Sequence, residues 1–193
     1  MERVDVATKR LIVGVSGASG SVYAFAALRA LRGFPNVETH LVISQQARRT
    51  IELETDATAA DLEALADVVH RDDDLAAPIS SGSYRTDGML VIPCSMRSAS
   101  AIAYSLDANL LVRAADVCLK ERRRVVLVVR ETPFHLGHLR TLTQLAELGA
   151  VILPPIPGWY ARPRTVEDVV NHTVGKALDQ FDLDAALFPR WGS

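Results

Sequence analysis

The chain has 193 residues, 49% hydrophobic and 23% charged, with a formal net charge of −2, which suits one globular domain over 1–193 with a substantial core. That charge excludes a basic face for nucleic acid, since the densest cationic run, Lys120-Glu-Arg-Arg-Arg124, includes an acid and reads as a solvated helix end. No apolar stretch is long enough to span a bilayer and no charged-then-apolar leader opens the sequence, so a cytoplasmic protein with no membrane partner is expected.

In chain order, residues 11–15 form a short β-branched strand that enters Gly14-Val-Ser-Gly-Ala-Ser-Gly20 and leaves as a helix over 22–31. This turn lacks the Gly-Lys-Ser/Thr ending of a P-loop, and its glycine spacing does not fit a dinucleotide fingerprint. It places Ser16 and Ser19 near a helix start, which suits one phosphate or a heterocycle edge and equally suits a merely structural turn. A strand over 40–43 ends at Ser44, and the helix over 47–53 closes on Glu54 and Asp56, ordinarily surface acids. Residues 61–68 read as a further helix and 72–88, rich in Asp, Ser and Gly, as a long mobile loop.

A strand over 89–92 leads into Pro93-Cys-Ser-Met-Arg-Ser98, a second turn of the same kind, and a helix over 99–104. The helix over 110–120 carries Arg113 and Lys120 two turns apart on roughly one face, ordinarily a charged surface. After a strand over 125–129, Arg130 and Glu131 stand where ionisable groups of a parallel sheet are more often functional. His135 and His138 lack a completing carboxylate or cysteine, so they read as caps or neighbour contacts and no metal is expected. A helix over 139–148, a strand over 151–153, the proline-stiffened Pro154-Pro-Ile-Pro-Gly158 and a helix over 165–179 opened by Thr165 complete the chain. The two cysteines, Cys94 and Cys118, lie among apolar neighbours and read as buried free thiols.

Alternating strands and helices imply a parallel sheet covered on both faces, with ligands bound outside the carboxyl ends of its strands. The residues that follow those strands are hydroxyls, helix-start amides, one arginine and one carboxylate. Two Gly/Ser turns facing one edge suit a ring cofactor with a single phosphate, which favours FMN over a dinucleotide.

Taken in order, GASG, LVIS, the ETD triplet, IPCSM, RAADVCLKERR, RETP with HLGHLR, and PPIPGWY resemble the UbiX-type flavin prenyltransferases over residues 10–191. The resemblance implies an α/β, flavodoxin-like or Rossmann-like doubly wound domain, assembled as a homododecamer with sites at subunit contacts. It implies transfer of a dimethylallyl group from dimethylallyl monophosphate to N5 and C6 of reduced FMN, without a metal. The prenylated FMN then serves a UbiD-type decarboxylase, with ubiquinone biosynthesis as the setting. FMN contacts are implied at Gly17, Ala18, Ser19, Ser44, Ser95, Met96, Arg97, Ser98 and Arg130. The allylic phosphate falls to Tyr160 and Lys176, with Arg113 and Lys120 at the departing phosphate. Ser19 beside N5, Glu54 and Glu131 in proton handling, and Lys120 make the implied catalytic set.

Three positions depart from the family pattern. Ser98 replaces threonine and keeps the hydroxyl, Gly158-Trp159 replaces Ala-Phe, and Lys176 replaces an arginine and loses its bidentate fork. Two other readings compete. A cysteine-type flavoprotein decarboxylase would share the fold and FMN, but needs an Asn-containing turn where this chain has Pro-Cys-Ser-Met. A flavin-carrying subunit would leave Arg113, Lys120 and Lys176 without purpose.

Overall fold

In the strands, odd and even positions feed different cores. Leu11, Val13, Leu41, Ile43, Leu90, Ile92, Val126 and Val128 enter one buried cluster, whereas Ile12, Val42, Met89, Val91, Val125 and Leu127 enter another. That alternation is the period of a strand buried on both faces. The computed structural model describes residues 8–192, so residues 1–7 and 193 of the expected domain lie outside the described residues.

The strands are β1 (Lys9–Val15), β2 (Val37–Ile43), β3 (Val68–His70), β4 (Gly88–Cys94), β5 (Arg124–Val129) and β6 (Val151–Ile152). All pair in parallel, in the order β3-β2-β1-β4-β5-β6. Without the short edge strand β3 the order reduces to the flavodoxin-like one; with it, the order is that of the Rossmann arrangement. The helices are α1 (Ser21–Leu31), α2 (Gln45–Glu54), α3 (Ala59–Glu63), α4 (Met96–Ala103), α5 (Leu110–Lys120), α6 (Leu136–Glu147) and α7 (Val166–Asp179). The first cluster takes in α1, α2, α3 and α7, and the second α4, α5 and α6. Strand order reverses between β1 and β4, which opens the crevice where such sheets bind ligands.

Two expectations are corrected. The helix expected over 61–68 is α3 further upstream, and the chain is already strand by Val68. Asp67 makes this boundary, accepting from both the amide and the hydroxyl of Thr39 at 2.8 Å, which docks the following residues beside β2. The stretch over 72–88 is no loose loop: Ala77 and Ile79 are buried, and a 3-10 turn forms at Pro78–Ser80. Arg123, expected at a solvated helix end, clamps it by donating to the carbonyls of Gly82 and Tyr84.

Candidate active site

At the switch point the turns after β1 and β4 are laced together. Ser16 donates its amide and its hydroxyl to the Pro93 carbonyl at 3.2 and 3.1 Å, and its Oγ accepts from the Ser95 amide at 2.7 Å. The next turns join the same ladder, Ser44 N donating to Val15 O and Arg130 N to Cys94 O. Ser44 and Ser95 then cap α2 and α4, each accepting the backbone amide three residues on at 3.2 Å. Gly17 is forced by proximity, since a Cβ there would come within 2.6 Å of Gln46 Cβ. Gly20 holds φ +111° at the start of α1, a backbone that favours glycine.

A cavity of about 710 Å³ opens between these turns, lined by Gly17, Ser44, Gln46, Ser95 and Ser98, with Arg48, Arg71 and Arg97 adding positive charge. Its size and donor set fit a flavin mononucleotide: the first amides of α2 and α4 have no intrahelical partner, and arginine complements phosphate. Arg48 and Arg71 are also paired, with Glu63 at 2.5 Å and Asp73 at 2.7 Å. A second cavity of about 700 Å³ opens between Lys9, Asp87, Arg124 and Phe181. It lies at the amino ends of the strands and is lined by no helix start, so we place the site in the first.

Glu54 occupies the α1 terminus. Its carboxylate accepts from Gly20 N and Ser21 N, both at 2.9 Å, and from the Ser19 hydroxyl. Burial, the largest single influence, pushes its pKa up, yet these hydrogen bonds together hold it below the usual carboxylate range. Ser19 and Glu54, separate motifs in the sequence, thus form one unit.

The other expected residues are placed less uniformly. Ala18 and the Met96 side chain are buried, Met96 in the second core, so at Met96 only the backbone faces the turn. Tyr23 lies in the field of Arg130: burial raises its hydroxyl above the ordinary tyrosine value, against a bond to Thr173 and the Arg130 charge, which links the end of β5 to α1 and α7. Glu131 accepts from Thr132 N at 3.0 Å. Tyr160 and Lys176 meet through His172, a residue that the sequence reading missed. The Tyr160 hydroxyl lies 3.1 Å from His172 Nε2, and burial followed by the Lys176 charge lowers the His172 pKa.

Of the expected residues, Gly17, Ser44, Ser95, Arg97 and Ser98 line the cavity; Ser19, Glu54, Arg130, Glu131, Tyr160, Lys176, Arg113 and Lys120 do not. Arg113 is held by Ser80 O, Asp107 and Asp116, and Lys120 pairs with Glu121 at 2.5 Å. His135 is the cap of α6, its Nδ1 accepting from Gly137 N at 3.0 Å. Among the described residues no three His, Cys, Asp or Glu stand close enough to hold a metal ion. Cys94 and Cys118 are buried free thiols, pushed by burial up to about 12 and about 11. No described helix is long and apolar enough to cross a membrane.

Asp72 was also missed. Its carboxylate, half-buried on the cavity wall, is raised by desolvation against hydrogen bonds from Leu111, Asn109 and Gln45. No motif marks it, because it falls in a run of three aspartates, Asp72 to Asp74.

The flavoprotein family model matches residues 2–178. The chain is 57% identical over 185 residues to the flavin prenyltransferase UbiX of Escherichia coli (strain K12), covering 95% of this chain and 98% of that one. It is 56% identical to the UbiX of Thauera aromatica over 94% of this chain and 93% of that one. Among solved structures, AnUbiX in complex with FMN and dimethylallyl pyrophosphate superposes with a TM-score of 0.94 at 48% identity, covering 96% and 98% of the two chains. A dodecameric FMN-dependent UbiX-like decarboxylase from Escherichia coli O157:H7 superposes at 0.93 and 50% identity, over 95% and 100%. An FMN-dependent cysteine decarboxylase, SpaF, is 20% identical at 0.64 and shares the fold alone. This chain belongs to the UbiX family of flavin prenyltransferases.

Proposed function

We propose that this protein transfers the dimethylallyl group of dimethylallyl monophosphate to N5 and C6 of reduced FMN, releasing phosphate and prenylated FMN for a UbiD-type decarboxylase. The observation that carries this reading is the laced pair of turns, which joins the Ser19–Glu54 unit to capped helix starts around one cavity. We orient FMN with its phosphate among Ser44, Arg97, Ser98 and the amides of α2 and α4, and its ring toward Ser19, Gly17, Ala18 and Arg130. At α1 the Glu54 carboxylate takes both leading amides, Gly20 N and Ser21 N, whereas at α2 the Asp72 carboxylate takes only that of Gln45 and three arginines stand nearby. Ser95 and the Met96 backbone form the opposing wall.

Reduced FMN supplies the nucleophilic atoms. The chain binds, orients and excludes water. Ser19, held by Glu54, fixes the N5 edge, and Glu131 takes the proton released at C6. Tyr160, Lys176 and Arg130 stabilise the departing phosphate oxygens, where charge develops in the transition state. Trp159 and Tyr160 give an apolar, aromatic wall suited to an allyl cation.

Arg113 and Lys120 serve the site of a neighbouring subunit in a homo-oligomer, a dodecamer in this reading. Trp159 and Trp191 are 72% and 84% exposed, and Leu106, Leu136 and Ile156 are also exposed, apolar side chains of the kind that assemblies bury. We further propose one domain over 1–193, a cytoplasmic location that suits the free thiols Cys94 and Cys118, and a place in ubiquinone biosynthesis. The test is reconstitution: flavin released after turnover should activate a UbiD-type apo-decarboxylase, and FMN carried through the same steps should not. Equal activity with both would contradict the proposal.

A further inference from the structure

Asp72 stands two residues beyond β3, on the wall of the cavity. Its side chain accepts from Asn109 Nδ2 at 2.9 Å and from Leu111 N at 3.3 Å, and it receives the Gln45 backbone amide as well. Its own carbonyl accepts from Leu110 N at 2.7 Å. Gln45 opens α2 and Leu110 opens α5, so one carboxylate joins the N-termini of two helices from opposite faces of the sheet. Asn109 is committed in this geometry: its Oδ1 caps Val112 N at 3.0 Å, leaving only Nδ2 to face Asp72.

We propose that Asp72 is the positioning residue of the flavin phosphate pocket, holding the starts of α2 and α5 at the separation the ligand requires. This rests on the FMN reading above. Positioning and simple proximity predict opposite signs. A carboxylate that merely lined a pocket for a dianion would repel it, and neutralising that carboxylate would tighten binding. If Asp72 holds the walls in place, neutralising it weakens binding.

The test is a fluorescence titration of the full-length apo-protein with FMN, comparing wild type, Asp72→Asn and the exchange Asp72→Asn with Asn109→Asp. The single variant keeps one acceptor oxygen in place of two, so its NH2 faces either Asn109 Nδ2 or the Leu111 amide, and the Kd for FMN should rise about tenfold, as for one unmade hydrogen bond to a charged group. The exchange restores an acceptor opposite that donor, keeps a cap for Val112 N, and should recover most of the affinity. Unchanged or tighter binding by Asp72→Asn overturns the proposal, as does a loss that the exchange fails to repair. If Asp72→Asn does not fold, Asn109→Ser decides instead: it keeps a cap and the charge but deletes the bond, so a several-fold higher Kd supports positioning and an unchanged one overturns it. Wild-type protein that fails to bind FMN overturns the flavin reading together with this one, and shows as identical behaviour in every variant.

Discussion

Glu54 fills the N-terminus of α1 in the place an anionic ligand could take, and it holds Ser19 there. A carboxyl lowered in the fold contributes stability that is fully present above its unfolded pKa and is lost as pH falls through the folded value. Glu54→Gln should therefore lower stability at neutral pH by about 1 kcal/mol, the usual worth of a charge or cap at a helix start. The gap from wild type should close toward about pH 3, below the ordinary glutamate range. Urea midpoints at the two pH values check this, and a gap that does not change with pH contradicts it. In the proposed reaction Glu131 serves the chemistry instead. Glu131→Gln should bind FMN as wild type does and lose about a hundredfold or more in turnover, the range for removal of a general base; full activity would remove Glu131 from the mechanism.

Among the elements, those with one dominant signal were legible in the sequence. Strands β1, β4 and β5 each hold an apolar run, Leu11–Val13, Met89–Ile92 and Val125–Val129, and α5 and α7 carry apolar spacing together with a cap at Asn109 or Thr165. The boundary of α3 and β3 was not legible. Leu62, Leu65 and Ala66 have helical spacing, and the strand that follows exists because Asp67 pairs with Thr39 on another strand. Only the fold brings the Ser19–Glu54 unit together, and only it sets Asp72 between the starts of α2 and α5. The same edge holds a half-buried polar cluster around buried His40 that periodicity could not show. His40 Nδ1 lies 2.9 Å from His70 Nε2, and His40 Nε2 lies 2.7 Å from Glu38. Tyr84 and Arg10 close the cluster, with the Asp74 charge nearby.

Burial, and then the charge of His40, lowers the His70 pKa. A base lowered in this way leaves stability intact above its unfolded pKa of about 6.5 and erodes it as pH falls through that value, since the unfolded chain takes up the proton first. The urea midpoint should therefore drop between about pH 7 and pH 5, and drop less in His70→Phe, which cannot take up that proton. An identical decline in both proteins would contradict this.

For the whole molecule, the expected site residues are not gathered around one cavity of the chain. The amide-lined cavity sits at the carboxyl edge of the sheet, whereas Arg113 and Lys120 lie on α5 outside it. If the site is shared between subunits, inactive Lys120→Ala and inactive Glu131→Gln chains should complement each other when co-assembled. Equal random mixing would leave about a quarter of the sites intact, one intact residue coming from each side of the contact. No recovery in assemblies shown to be mixed would place Lys120 in its own subunit's site or outside the chemistry.

The mass of the released flavin reports the proposed reaction most directly. Purified protein, incubated without oxygen with reduced FMN and dimethylallyl monophosphate, should release a flavin heavier by one C5H8 unit. Flavin of unchanged mass after prolonged incubation at saturating concentrations of both substrates would contradict it.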